Sequence, residues 1–277
     1  MRRLHVVRTF IDQQVVRSHE DEVLITDSRV VENMLTEEKS SVVRDYCGDV
    51  QTEIAVHMRK IVTDWMLEVC EDQQCQPEVF FLSVNYLDRF LSLVNIKKSQ
   101  FQLLASVCIL LASKFSQVVS ITSDQLVIYT DNLISSAMIR DWEINVLRVL
   151  QWELSTPTSH SFLNHFCSRF MCDKTIREQA QKIATLAATE YKLISIKQSV
   201  IAAAALALAV KTQTGDSSQA LQLMKTVSVL IQCDISIIFQ LISELKHPSL
   251  ENFHESHINC KVINSQCSCS YNVIQVQ

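Results

Sequence analysis

Apolar positions recur along this chain with the period of a helix, and the pattern stops and restarts often enough to mark a series of separate helices. Met58, Ile61, Val62, Trp65 and Val69 gather on one side of a helix that turns by about 100° per residue. Val56, Thr63, Leu67 and Cys70 lie on the other side and Glu68 on the rim, which predicts a central helix with neighbours on both faces. Pro77 is tolerated in a first helical turn and opens a second stretch, in which Val79, Phe80, Leu82, Tyr86, Leu87, Phe90 and Leu91 keep the period. Ser99 is the predicted cap of a third helix through Leu103, Leu104, Val107, Leu110 and Leu111, whose small residues Ala105, Ser106 and Ala112 allow close packing. Residues 122–131 and 135–150 bring the set to five, the last with Ile139, Trp142, Val146, Leu147 and Val149 as its apolar side.

Ser155-Thr156-Pro157-Thr158 then breaks the pattern, because proline disfavours helix at the residue before it. Five more helical stretches follow, at 162–170, 175–194, 199–211, 217–231 and 234–246. Leu208-Ala209-Val210-Lys211 closes the third of these much as Leu111-Ala112-Ser113-Lys114 closes the third of the first set, which together with the equal count predicts a duplicated unit. A short helix at 27–35, capped by Asp27 or Ser28, precedes both. The expected organisation is an arm at 1–49, one all-α unit at 50–154, a second at 155–250 and, beyond Pro248, a loosely ordered tail at 251–277.

Composition narrows the chemistry. With two glycines and three prolines in 277 residues, the chain lacks what a turn-rich β fold, a phosphate-cradling loop, a dinucleotide fingerprint or a Gly-x-Ser-x-Gly elbow requires. A net charge of −5, with basic residues clustered only in pairs such as Arg2-Arg3 and Lys97-Lys98, argues against nucleic acid as a partner. Charges at Arg2, Arg3, His5, Arg8 and Asp12 leave no secretory apolar core, and the run from Val200 to Val210 is too short to span a bilayer, so a soluble intracellular chain without a membrane role is expected. Ten cysteines are then expected as reduced thiols. His254, His257, Cys260, Cys267 and Cys269 in the tail carry ligand-type atoms but lack a second Cys-x-x-Cys, and no metal or cofactor is assigned. No His-Glu-x-x-His occurs, and Ser, His and Asp residues are scattered without a nucleophile context, which moves the weight from catalysis to binding.

Several blocks in order resemble the cyclin family, and among cyclins the D-type: Met58-Arg59-Lys60-Ile61-Val62, Trp65-Met66-Leu67-Glu68-Val69-Cys70, Asn85-Tyr86-Leu87-Asp88-Arg89-Phe90-Leu91, Leu111-Ala112-Ser113-Lys114 and Ile128-Tyr129-Thr130-Asp131-Asn132. The resemblance implies two tandem five-helix cyclin boxes, and a regulatory subunit, not an enzyme, that activates a cyclin-dependent serine/threonine kinase of the type served by D-type cyclins. Its partners would include retinoblastoma-type substrates and kinase inhibitor proteins, in nucleus and cytoplasm. The alternative in the same fold is a transcription scaffold binding polymerase or DNA, which the acidic balance disfavours.

Lys114 and Glu143 each interrupt an apolar helix; by residue type alone they read as a snorkelling lysine and a solvated glutamate. Both match the cyclin lysine and glutamate that hold the kinase. Met58, Ile61, Val62, Trp65, Glu68, Phe101 and Gln102 match a shallow groove that docks short basic-hydrophobic motifs; periodicity alone would make the apolar ones core. Arg59 and Asp88 match a buried ion pair of the scaffold. Three departures stand out: no Leu-x-Cys-x-Glu motif near the start, Phe101 where the groove often has leucine, and Ser116-Gln117 where many cyclins are acidic.

Overall fold

A computed structural model describes residues 27–245, position 42 apart. The expected tail and its Cys/His-containing stretch lie outside the described residues. Among the described residues there are eleven α-helices and no strand. After α1 (Ser28–Ser40) come α2 (Val56–Asp72), α3 (Pro77–Leu91), α4 (Phe101–Ser116), α5 (Ser123–Tyr129) and α6 (Ser136–Val149). The second set is α7 (Ser159–Arg169), α8 (Lys174–Thr189), α9 (Gln198–Thr214), α10 (Ser217–Leu230) and α11 (Ile235–Leu245). Five helices and five helices are thus joined by residues 150–158.

The hub of the first set is α4, a correction to the expectation that α2 is central. Every side chain of α4 from Leu103 to Ser113 is buried, whereas α2 keeps an exposed edge at Val56, His57, Ile61 and Glu68. The cause is composition: α4 is apolar on all sides, with Ala105, Ser106 and Ala112 letting α2, α3 and α6 close around it. Its counterpart α9 is the alanine-rich hub of the second set, packed by α7, α8, α10 and α11. Gly215, at φ 67°, ends α9 in the left-handed region that glycine enters without a Cβ penalty, and its N–H donates to the Lys211 carbonyl at 3.1 Å.

Other boundaries move for identifiable reasons. Ser99 is no cap: a 3-10 turn at Lys98–Gln100 leads into α4, and Gln100 Oε1 accepts from the Lys97 N–H at 3.0 Å. The helix expected over 175–194 stops at Thr189, Glu190 is extended, and a separate 3-10 turn follows at Tyr191–Leu193. The first helix runs past Leu35 to Ser40, because Glu38 on its last turn has a buried partner.

Two charges from outside the second set finish its helices. Glu38 accepts from the Ser199 N–H at 2.7 Å and the Ser199 hydroxyl at 2.8 Å, so an anion sits at the N-terminus of α9. Arg59 donates to the carbonyls of Ala188 at 3.0 Å and Thr189 at 2.9 Å, so a cation sits at the C-terminus of α8. Both placements follow the helix dipole, and both use backbone groups a helix end leaves unpaired. The two bundles are therefore completed by each other's neighbourhood.

Candidate functional site: two exposed seams and the ion pair behind them

The first seam lies where α4 and α6 cross. Lys114 stands in the last turn of α4 and its Nζ is 2.7 Å from Glu143 Oε1 on α6; the lysine side chain is 48% exposed and the glutamate 15%. The chain leaves α4 along a fixed path, because Ser113 Oγ accepts from the Ile121 N–H at 3.0 Å and Ser116 Oγ donates to the Ala112 carbonyl at 2.7 Å. The lysine thus projects from the rigid end of a buried helix. An ion pair this open to water contributes about 0–1 kcal/mol, so either group can be redirected at small cost. Phe115, Val118 and Val119 after the lysine, and Ile144 beside the glutamate, are exposed apolar side chains that the sequence reading did not single out. Their signal was present: apolar residues that continue past the end of a helix and its charge.

The second seam is the outer edge of α2. Around the helix, exposure falls in one direction: Glu68 and Ile61 are exposed, Trp65 and Met58 half-buried, Val69, Val62, Met66 and Arg59 buried. The apolar arc read from the sequence straddles the boundary between solvent and core. Ile61 is 43% exposed while Val62, one step of about 100° away, is 2% exposed. Val62 therefore belongs to the floor beneath the seam, a correction to its assignment as a docking residue. Phe101 is corrected in the same way: at 3% exposed it is packed into the core at the start of α4, and only Gln102 beside it is half-buried. Met58, Ile61, Trp65 and Glu68 remain on the surface, on one face of one helix.

Arg59 and Asp88 form the pair expected of them, and more. Arg59 is 1% exposed and donates Nε to Asp88 Oδ1 at 2.8 Å and Nη2 to Asp88 Oδ2 at 2.7 Å. Tyr46 donates its hydroxyl to Asp88 Oδ1 at 2.7 Å, and its ring meets Tyr191 edge to face at 5.2 Å. The Tyr191 oxygen in turn accepts from the N–H groups of Tyr46 at 3.1 Å and Cys47 at 2.8 Å, tying the arm to the second bundle. Burial opposes the charge on Arg59, but the charge and hydrogen bonds of Asp88 outweigh it and hold the guanidinium above its usual value. Burial first, and Asp88 after it, push the Tyr46 phenol well up. Lys60, one residue on, donates to Thr189 Oγ1 at 2.6 Å and lies 3.2 Å from Glu190.

A second buried carboxyl closes the junction. Glu78 in the first turn of α3 accepts from Thr158 Oγ1 at 2.8 Å and Ser161 Oγ at 3.0 Å, at the start of α7. Burial lifts its pKa to about 7 against the pull of the two hydroxyls. Sequence reading missed Glu38, Tyr46, Glu78 and Tyr191 alike, since their partners lie between 42 and 161 positions away.

Comparison with known proteins decides the family. Residues 29–155 match the cyclin N-terminal domain and residues 157–269 the cyclin C-terminal domain. The chain belongs to the cyclin family, and is most like the D-type cyclins. It is 41% identical over 255 residues to a G1/S-specific cyclin-D1 of Xenopus laevis, covering 87% of each chain. It is 42% identical over 200 residues to a human G1/S-specific cyclin-D3, covering 70% of this chain and 68% of that one. Among solved structures, a viral cyclin from herpesvirus saimiri superposes with a TM-score of 0.68 at 22% identity, over 78% of this cyclin and 98% of the viral one, which shows the shared fold. In cyclin terms α2–α6 are the first box and α7–α11 the second.

Proposed function

We propose that this cyclin binds and activates a cyclin-dependent serine/threonine kinase of the type served by D-type cyclins, and so promotes commitment to cell division. The observation that carries the proposal is the Lys114–Glu143 contact at 2.7 Å, held at the rigid end of α4 beside exposed Phe115, Val118, Val119 and Ile144. A weak exposed ion pair ringed by apolar surface suits a grip on a partner helix: the charges can turn to the partner's backbone and side chains while the apolar ring supplies area. Holding the kinase's mobile regulatory helix inward sets its glutamate against the lysine that positions the nucleotide phosphates, and the kinase becomes active by population shift. The cyclin donates no catalytic group in this scheme.

The outer edge of α2, with Met58, Ile61, Trp65, Glu68 and, on α4, Gln102, serves as the docking surface for substrates such as retinoblastoma-type proteins and for kinase inhibitor proteins. An aromatic ring flanked by a carboxylate suits a motif that joins an apolar anchor to a basic residue. The complex acts in the nucleus and cytoplasm.

The test is a kinase pull-down followed by phosphorylation of a retinoblastoma fragment. Lys114→Ala combined with Glu143→Ala abolishes kinase binding and the associated activity, while circular dichroism remains that of a folded helical chain. Undiminished binding by the double variant would refute the proposal.

A further inference from the structure

The first helices of the two boxes end in the same turn, and in both cases that turn begins and ends with cysteine. The Cys75 N–H donates to the Cys70 carbonyl at 2.9 Å after left-handed Gln74, at φ 51°. The Cys172 N–H donates to the Cys167 carbonyl at 2.8 Å after left-handed Met171, at φ 47°. This is the six-residue closure with which helices often stop. In each pair the first cysteine is buried, the second half-buried, and the two thiols are in hydrogen-bonding contact. A turn closed in this way brings its first and last residues side by side, as a disulfide requires, with Cα atoms about 4.4–6.8 Å apart.

The pairs differ in the charge beside them. Glu71 faces the Cys70–Cys75 pair, whereas Arg177 faces Cys172. Arg177 is held on α7 by Asn164 Oδ1 at 3.4 Å and Ser168 Oγ at 3.2 Å, so its guanidinium is fixed near the turn. The negative charge of Asp173, the next residue, opposes the effect of Arg177 on Cys172. We propose that Cys167 and Cys172 are a reversible oxidation site, in which half-exposed Cys172 reacts with a peroxide and buried Cys167 resolves the product to a disulfide.

The chemistry balances as two displacements. The Cys172 thiolate attacks one peroxide oxygen; an S–O bond forms, the O–O bond breaks, and the leaving hydroxide takes up the thiol's proton as water. The Cys167 sulfur then attacks Sγ of the sulfenic acid; the S–S bond forms, the S–O bond breaks, and a second water leaves. Two thiols are oxidised and one peroxide is reduced. The hydrogen bond from Cys167, with Arg177 adding to it, holds the Cys172 thiol below its ordinary pKa; beside the first pair the nearby charge is instead that of Glu71, which opposes a thiolate.

The test uses the purified full chain, reduced and then exposed to hydrogen peroxide, blocked with maleimide and cut with trypsin. Arg169 lies between Cys167 and Cys172, so their peptides stay joined only through a disulfide; no Lys or Arg separates Cys70 from Cys75, whose disulfide is a closed loop within one peptide. The joined Cys167–Cys172 peptides appear at least about tenfold faster than the Cys70–Cys75 loop, as thiolate-controlled reactivity requires, and vanish on reduction. In Cys167→Ser, whose fold is checked by circular dichroism, dimedone traps sulfenic acid on Cys172; in Cys172→Ser none is trapped on Cys167. Equal rates for the two pairs, or an untrapped Cys172 in Cys167→Ser, would overturn the proposal.

Discussion

Replacing Asp88 by asparagine keeps the shape of the junction and removes one charge. Arg59 remains 1% exposed and still reaches the Ala188 and Thr189 carbonyls, but its two bonds to Asp88 at 2.7 and 2.8 Å lose their ionic partner. An uncompensated buried charge costs about 3–5 kcal/mol, a large share of the roughly 5–15 kcal/mol that stabilises an ordinary domain. Tyr46→Phe removes only the third bond to Asp88, leaving both carboxylate oxygens occupied, and costs about 1–2 kcal/mol. The double variant Arg59→Met with Asp88→Leu removes both charges and recovers part of the single-variant loss. It does not recover all of it, because the Ala188 and Thr189 carbonyls and the Tyr46 hydroxyl are left without Arg59 and Asp88, at about 1–3 kcal/mol for each buried group so orphaned. Urea unfolding followed by circular dichroism measures all three variants against the parent. Asp88→Asn within about 1 kcal/mol of the parent, or a double variant no more stable than Asp88→Asn, would show that the pair is not compensated as described.

Three further outcomes follow from the same contacts. Trp65→Ala leaves activity on short generic peptides unchanged and weakens phosphorylation of substrates that carry a docking motif, by the roughly tenfold or more expected of an interface anchor; equal loss on both substrate kinds in a kinase assay counts against the α2 edge. Glu78→Gln tests the raised carboxyl: with a folded pKa of about 7 against 4.5, the folded chain binds the extra proton between these values, so stability from Glu78 is full at low pH and lost as pH rises to 7. The variant is therefore more stable than the parent above pH 7, by at most about 3 kcal/mol, and the gap closes towards pH 4.5; thermal melts across that range read it, and a gap that widened on acidification would reverse the sign. Glu38→Ala strips the N-terminus of α9 of its anion and lowers stability by about 1–2 kcal/mol in urea unfolding, with Glu38→Gln intermediate.

The helices were legible because each carries its own signal: α3 and α6 show the period of 3.6, Pro77 opens α3 as its residue type requires, and Thr122 with Gln125 closes a capping box on α5. The equality of the two sets was legible through the Leu111–Lys114 and Leu208–Lys211 segments, which end the two buried hubs. Periodicity could not settle which edge of an apolar arc faces water. Ile61 and Val62 are both apolar and one step apart around α2, and only the packing of α3 and α4 against this helix, which buries Val62 and leaves Ile61 exposed, separates them. Nor could it find Glu38, which follows exposed Glu37 and is set apart by Ser199, 161 positions later. The Arg59–Asp88 pair was legible through family resemblance, but an arginine has five donors and a carboxylate occupies two, so its remaining N–H groups pointed to further acceptors that the sequence does not name.

This construction separates the grip on a partner from the junction that holds the two boxes together. Lys114 and Glu143 are held to each other by an exposed pair worth little by itself, so the precision of the grip comes from α4 and α6, whose positions are set by the first box's core. The second box bonds at Arg59, Glu78 and Glu38, behind the surface. A charge lost at Arg59 or Glu38 unfolds or loosens the platform without touching a partner, whereas Glu78, whose charge burial opposes, changes stability with pH. A charge lost at Lys114 removes a partner contact without loosening the platform. Measured together, unfolding midpoint and kinase affinity should therefore move independently in the two groups of variants, which is the behaviour of a rigid presenting scaffold and not of a surface that folds on its partner.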